Sequence, residues 1–163
     1  MAKGLLPLAV LFILAACGGS AQQSVRVVRG SGYTFAIPAR WTLFRGAALR
    51  AQPASEPRTM VVVQTYPLRR AYRPALFGGA TAELDRVAAR LAALGNARVT
   101  ERATTTVAGR KIRAYRFAAG VYDARLGFVL VGKREYQLYC RAPRGAGDPD
   151  GACGLLFSSF SLS

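Results

Sequence analysis

Alternating and continuous apolar runs predict strands over much of the chain. Tyr33, Phe35 and Ile37 fall on one face of an alternating segment, residues 32–38, which is the pattern of a half-buried strand. The segment "RTMVVVQTY", residues 58–66, contains a continuous β-branched run, as in a central strand. The segment "SVRVV", from residue 24, is a weaker candidate for an edge strand.

One amphipathic helix is predicted in "TAELDRVAARLAALG", residues 81–95. Thr81 is a candidate N-cap, acidic residues follow it, and Gly95 is placed to end the helix. The apolar residues recur at helical spacing on one face: Leu84, Val87, Ala88, Leu91 and Leu94. Arginines occupy the opposite face, so this helix is expected to pack on a sheet and expose its charges.

Antiparallel strands follow the helix. Ala108-Gly109-Arg110 separates two strand-like runs and predicts a hairpin turn, and Gly132-Lys133 predicts a second one between "RLGFVLV" and "REYQLYC". The chain closes on "GLLFSSFSLS", where Leu155, Leu156 and Phe160 fit one face of a helix. The element order predicts an α+β fold: an antiparallel sheet flanked by helices in an α/β/α sandwich.

The N-terminus has the organisation of an export signal. Lys3 precedes an apolar core of about ten residues, which is too short to span a bilayer as a helix. Leu14-Ala15-Ala16-Cys17 resembles the lipobox of bacterial lipoproteins, and this resemblance implies that Cys17 is acylated and becomes the first residue after cleavage. The alternative is an ordinary signal peptide that happens to contain a cysteine.

This interpretation sets the domain boundaries and the compartment. It predicts a lipoprotein signal peptide over residues 1–16, a lipidated cysteine with a flexible tether over residues 17–31, and a single domain over residues 32–163. Two or three acyl chains would hold the protein lastingly at a membrane. We therefore expect an extracytoplasmic protein, lipid-anchored to the bacterial cell membrane, with membrane lipid as its first partner.

The other two cysteines, Cys140 and Cys153, are expected to form a disulfide in an exported domain. They flank a loop rich in Gly and Pro, and Asp148-Pro149-Asp150 has the pattern of a helix start. The bridge would join the last strand to the last helix. A redox pair or a metal site is the alternative, but redox cysteines are usually two residues apart and a metal needs more ligands than two thiols.

Composition argues against most enzymatic chemistry. The chain has no histidine, which excludes the usual Ser-His-Asp and Cys-His arrangements. Lys111 and Lys133 allow a Ser-Lys pair only formally, since both adjoin turn glycines. Neither a phosphate-binding glycine loop nor a metal-ligand motif is present. We expect no catalytic residues, no cofactor and no metal.

The charge is strongly positive, with 23 Lys and Arg against 8 Asp and Glu. Dispersed surface arginines explain much of this excess, and the export signal argues against nucleic acid as a partner. One segment is denser: in "YPLRRAYRPALFGG", residues 66–79, the candidate residues for binding an anionic partner are Arg69, Arg70, Tyr72 and Arg73. Guanidinium groups bind carboxylate or phosphate in bidentate fashion, and neighbouring aromatics add contact area. The alternative is a surface loop whose aromatics cover the sheet edge.

Four segments together resemble the PsbP-like family of small extracytoplasmic proteins: "GYTFAIPARW", the amphipathic helix, "TVAGRKIRAY" and the closing "YQLYC…CGLLFSSF". The resemblance runs from about Gly32 to the C-terminus. It implies an antiparallel sheet flanked by helices, in a family where many bacterial members are short lipoproteins without an assigned activity. Better-known relatives are accessory or assembly subunits of membrane complexes, but no residue here marks that role.

Two functions fit these observations. The first is a non-catalytic, membrane-anchored binding or accessory module of the cell envelope, which contacts an anionic envelope component or an envelope protein. The second is a lipoprotein that carries or senses a small ligand or lipid. An exposed apolar groove would favour the carrier, and a flat basic face would favour the accessory role.

Overall fold

The computed structural model describes residues 24–145 and 149–163. Cys17 and the predicted signal peptide lie outside this part of the chain, as does Asp148. The described elements, in chain order, are β1 (Val25–Gly30), β2 (Tyr33–Pro38), β3 (Thr42–Arg45), β4 (Ala48–Gln52), β5 (Met60–Tyr72), a 3-10 helix (Pro74–Leu76), α1 (Phe77–Leu94), β6 (Arg98–Val107), β7 (Arg110–Ala119), β8 (Tyr122–Pro143), α2 (Pro149–Ser159) and β9 (Ser161–Leu162).

The main sheet is antiparallel, in the order β3-β4-β5-β8-β7-β6. β8 would span about 70 Å if it were straight, but it folds back on itself at Gly132. The Arg144 N–H donates to the Val121 carbonyl at 2.7 Å, and the Arg141 guanidinium lies 5.1 Å from the centre of the Tyr122 ring. The first arm pairs with β7 and the second with β5. The predicted central strand is confirmed in β5.

Both predicted hairpin turns are confirmed. Ala108 and Gly109, between β6 and β7, have φ values of 50° and 70°, which a type I′ turn requires at its two central positions. Gly132 has a φ of 53° and supplies the positive φ where β8 folds back. These turns place the tips of two hairpins at the same end of the sheet.

A second, smaller sheet has the order β1-β2-β9. β1 pairs with β2 from Val25↔Pro38 to Gly30↔Tyr33, and β2 pairs with β9 through Tyr33↔Leu162. The sequence boundary at residue 32 was therefore wrong, because residues 25–30 are a strand rather than part of a tether. The C-terminal helix is also shorter than predicted, since α2 ends at Ser159 and the chain then turns into β9.

Two apolar cores occupy the two faces of the main sheet. On one face, α1 contributes Leu84, Ala88 and Ala92 to a cluster with Tyr115 and Phe128. On the other face the small sheet and α2 enclose the larger core, with these side chains among those essentially inaccessible to solvent: Phe35, Ile37, Val63, Ile112, Leu138 and Leu156. The predicted α+β architecture, with helices on both sides of an antiparallel sheet, is confirmed.

α1 starts earlier than the sequence pattern indicated. Its N-cap is Leu76, and the Thr81 hydroxyl donates to the Phe77 carbonyl within the first turn rather than capping the helix. No acidic residue lies in that turn. The predicted end at Gly95 is confirmed, but the predicted apolar face is only partly buried, since Leu91 and Leu94 are 42% and 80% exposed.

The expected disulfide is present. Cys140 on β8 and Cys153 on α2 are bonded, with their Cα atoms 5.6 Å apart, and both are buried. The bridge joins the second arm of β8 to α2, as predicted. Within the described residues, no helix is both long and apolar enough to cross a membrane.

Candidate functional site

The arginine-rich segment is not the loop that the sequence predicted. β5 continues through it to Tyr72, where that residue pairs with Gly132 at the tip of β8. Between Pro67 and Tyr72 the register with β8 shifts, so Arg69 and Arg70 lie in a bulge of an antiparallel strand. The bulge forms because five steps along β5, from Pro67 to Tyr72, face only two along β8, from Arg134 to Gly132.

The fold brings further cations to the same end of the sheet. Lys133 and Arg134 follow the β8 turn, and Arg110 and Lys111 follow the β6–β7 turn. Arg110 is close enough to oppose the rise in the pKa of Tyr72, a rise caused by burial of the phenol. We call this region the basic end, defined by Arg69, Arg70, Arg73, Arg110, Lys111, Lys133 and Arg134. Sequence analysis identified only the first three of these.

Most acidic side chains are paired elsewhere. Among the described residues, arginines bind the carboxylates of Glu56, Glu83, Asp85, Glu101 and Asp123, all outside the basic end. Glu135 lies beside Arg134 in the chain and accepts a hydrogen bond from the Gln137 amide at 2.7 Å. Because these carboxylates are paired outside the basic end, they do not neutralise its positive charge.

The aromatic residues of the predicted site differ in exposure. Tyr66 is exposed, Tyr72 is half-buried against the β8 turn, and Phe77 is half-buried at the start of α1. Arg69, Arg70 and Arg73 are exposed. The structure thus leaves the three guanidinium groups and one phenol of this segment open to a partner.

α1 is fixed to the sheet by a polar cluster. The Asp85 carboxylate accepts hydrogen bonds from Arg113 at 3.0 and 3.2 Å and from the Tyr115 hydroxyl at 2.7 Å. The Arg113 guanidinium is the main reason that the pKa of Asp85 is below its usual range. Burial, reinforced by the Asp85 charge, raises the pKa of Tyr115. The cluster holds the position of α1, which forms the wall of a groove described below.

Asp85→Asn is expected to lower the free energy of unfolding by about 2 kcal/mol at neutral pH, because a charged acceptor of three hydrogen bonds is lost. The lowered pKa of Asp85 also fixes the direction in which stability changes with pH. The contribution of Asp85 is present above its unfolded pKa of about 4 and is lost as pH falls through the lower, folded value. Urea unfolding of both proteins between pH 7 and pH 2 checks this. A variant as acid-sensitive as wild type would show that Asp85 is not responsible.

A groove opens where α1 ends. α1 packs against β6 and β7 and does not extend over β5, so part of this sheet face is uncovered. The groove has a volume of about 780 Å³, within the ~300–1,000 Å³ range of ligand pockets. Leu91 and Ala92 of α1 line one side, and Val62, Gln64, Gln137 and Tyr139 of β5 and β8 line the floor.

One cation lies at the mouth of the groove. The Arg141 side chain is half-buried on the sheet, its Nε donates to the Arg58 carbonyl at 3.2 Å, and its guanidinium lies over the Tyr122 ring. Burial raises the pKa of the neighbouring Tyr139, with Arg141 opposing the rise. Arg141 could not be found from the sequence, since a single arginine in a strand carries no signal of its surroundings.

The groove lies at the opposite end of the molecule from the basic end. β5 begins at Met60, which pairs with Arg141 at the groove, and ends at Tyr72 in the basic end. The described chain also starts at the groove end. Two hydrogen bonds show the direction of β1. Arg134 of the basic end donates to the Ser31 carbonyl just after β1, so β1 ends at the basic end. The start of β1 lies at the other end, where Arg26 donates to the Trp41 carbonyl. We call the end of the molecule that carries the groove and the start of β1 the groove end.

The described residues contain no group of three or more His, Cys, Asp or Glu side chains that could hold a metal ion. Lys111 and Lys133, considered above for a Ser-Lys pair, are both exposed and both belong to the basic end.

The comparisons with known proteins concern the fold. No family model matches the sequence, and no curated protein is significantly similar to it. The chain is similar to the solution structure of cyanobacterial PsbP (CyanoP) from Synechocystis sp. PCC 6803, with a TM-score of 0.67 and 14% identity over 92% of this chain and 99% of that one.

A crystal structure from Bacteroides thetaiotaomicron VPI-5482 is also similar, with a TM-score of 0.58 and 10% identity over 87% of this chain; the match spans 49% of that chain. At these identities the similarity defines the architecture alone. The chain has the PsbP-like α+β fold.

Proposed function

We propose that the protein is a non-catalytic, lipid-anchored extracytoplasmic module that binds an anionic partner at the bacterial cell envelope. The lipobox-like segment ending at Cys17 supports the anchor, and the absence of histidine from the whole sequence supports a role without the common hydrolytic triads. The observation that carries the proposal is the basic end, which combines three parts of the chain that are distant in sequence.

The chemistry of the basic end fits an acidic macromolecular surface. Arginines predominate, and their planar guanidinium groups bind carboxylates with two parallel hydrogen bonds. The bulge in β5 presents Arg69 and Arg70 on a rigid scaffold rather than on a long loop. A charge excess at one end also speeds association with an acidic partner through long-range attraction.

The geometry of the anchor favours a partner on the far side of the domain. Ser24 is seven residues after Cys17 in the chain, and this length reaches at most about 25 Å. Since Ser24 is at the groove end, the tether holds that end near the membrane and directs the basic end outward. We therefore infer an acidic protein surface or anionic envelope polymer, rather than the head groups of the anchoring membrane, as the partner.

Replacing Arg69, Arg70 and Arg73 together with serine is expected to reduce partner retention at least tenfold. Each exposed ion pair contributes up to about 1 kcal/mol, and 1.4 kcal/mol corresponds to a factor of ten in affinity. Retention is measured by cross-linking the full-length protein in its own membranes and quantifying the cross-linked species at two salt concentrations. The wild-type signal should weaken as salt increases.

The matched control replaces Arg40, Arg90 and Arg98, which are exposed and outside the basic end, so that both variants have the same net charge. Equal losses in the two variants would show that total charge, not the basic end, holds the partner. Unchanged retention in both variants would show that Arg69, Arg70 and Arg73 do not bind the partner. Thermal unfolding confirms that each variant is folded, and the mass of the purified protein checks for an acylated N-terminus at Cys17.

A further inference from the structure

The groove has the properties of a binding site for an amphiphile. Its lining includes two large apolar side chains that are exposed to solvent, since Leu91 and Val121 are 42% and 63% exposed. Its interior is lined mainly by apolar side chains, among them Phe117 and Leu126. A concave and mainly apolar groove of this size is the usual form of a small-molecule binding site.

The groove also has polar lining residues, and all but one of those that the structure describes are neutral. Arg141 is the one charged residue among the described residues that line it. Within the described chain, no carboxylate forms an ion pair with Arg141. Its Nε donates to the Arg58 carbonyl and its guanidinium contacts Tyr122 and Tyr139, so its partners are neutral and its positive charge is not balanced. The nearby Arg58 is already paired with Glu56 at 3.0 Å. Glu135, which does not line the groove, accepts a hydrogen bond from the Gln137 amide.

We propose that this groove binds a single-chain amphiphile with an anionic head group, with the acyl chain between α1 and the sheet and the head group on Arg141. Charge complementarity selects the head group, because a half-buried guanidinium beside Tyr122 and Tyr139 is the donor set for a carboxylate or phosphate. The apolar walls select the chain. This site is separate from the basic end and does not depend on its function.

The source of the ligand follows from the position of the groove. The described chain starts at the groove end, and Cys17 lies only seven residues before Ser24. If Cys17 is acylated as proposed above, the groove lies close to a membrane that supplies fatty acids and lysophospholipids. This step rests on the proposed anchor, whereas the binding chemistry does not.

The test uses residues 18–163, which keep every residue that the structure describes but omit the apolar signal segment and Cys17, so that neither an attached apolar chain nor detergent fills the groove. The probe is cis-parinaric acid, an 18-carbon carboxylic acid that fluoresces in an apolar site. Saturable binding of about one probe per protein is expected. Arg141→Gln should weaken binding of the acid at least tenfold but leave binding of the probe's methyl ester unchanged, because the ester lacks the charge that Arg141 would hold.

Leu91→Gln should weaken acid and ester alike. Leu76→Gln changes another exposed leucine, 54% exposed against 42% for Leu91, that lies outside the groove and should change neither. Displacement of the probe by oleate identifies a carboxylate ligand, and displacement by lysophosphatidic acid identifies a phosphate ligand. Absence of saturable binding, or equal loss of acid and ester in Arg141→Gln, would overturn the proposal. Loss of partner retention in the basic-end variant would be unaffected by that result, so the two proposals fail independently.

Discussion

Phe35→Ala is expected to lower the free energy of unfolding by about 3–5 kcal/mol, because removing a buried aromatic ring loses its transfer free energy and leaves a cavity. Phe35 on β2 is 1% exposed, lies in the larger core and stacks against Tyr33 with ring centres 6.2 Å apart. β2 packs on α2, and its Ala36 N–H donates to the Ser159 hydroxyl at 2.8 Å. Denaturant unfolding followed by tryptophan fluorescence measures the loss.

Phe44→Ala is the matched control. Phe44 is 40% exposed on β3, where the Arg50 guanidinium lies over its ring, and its replacement should cost less than about 1 kcal/mol. If the two variants were equally stable, the small sheet would not share a core with the main sheet. The fold would then be two loosely joined layers rather than one cooperative unit.

Replacing both Cys140 and Cys153 with alanine is expected to destabilise the protein by about 3 kcal/mol. The bridge spans 13 residues, and opening a loop of about this length restores conformational entropy to the unfolded chain in the entropic account of disulfides. Thermal unfolding of the variant and wild type under oxidising conditions measures the effect. α2, which carries Phe157 and Leu156 into the core, should lose hydrogen-exchange protection first.

Reduced wild type separates the bridge from the side chains, since it keeps both cysteines but has no bond between them. It should unfold near the same temperature as the double variant. If reduction left the unfolding temperature unchanged while the double variant lost stability, the buried sulfur contacts would be the stabilising factor and the bridge would contribute nothing.

Local sequence patterns correctly predicted the features whose conformation is fixed by nearby residues. The two hairpin turns depend on Gly109 and Gly132, whose positive φ few other residues adopt. α1 ends at Gly95, and the left-handed conformation that follows it is adopted by Asn96, with a φ of 47°. The disulfide was predicted from the number of cysteines, on the expectation that the domain is exported. For the turns and the helix end, neighbouring residues decide the conformation, so no knowledge of distant contacts was needed.

The patterns failed where burial depends on a distant partner. The helical period places Leu91 and Leu94 near the buried residues of α1, but period alone cannot tell how far the sheet beneath the helix extends. Thr81 resembles an N-cap, yet α1 begins at Phe77, because it continues directly from the 3-10 helix that follows β5. The arginine segment was predicted as a loop because a bulge in β5 has no distinct composition.

The sequence by itself determined the α+β class, the strongly basic charge, the lack of histidine and the pairing of Cys140 with Cys153, all of which depend on residue identity or short-range spacing. Only the tertiary structure decided where that charge collects and where apolar surface stays open. The basic end requires the β8 tip and the β6–β7 tip to meet the bulge of β5, and Arg141 faces a groove because α1 ends short of β5. Both sites consist of residues far apart in the chain, whose proximity is fixed by strand register and by helix packing rather than by any local pattern.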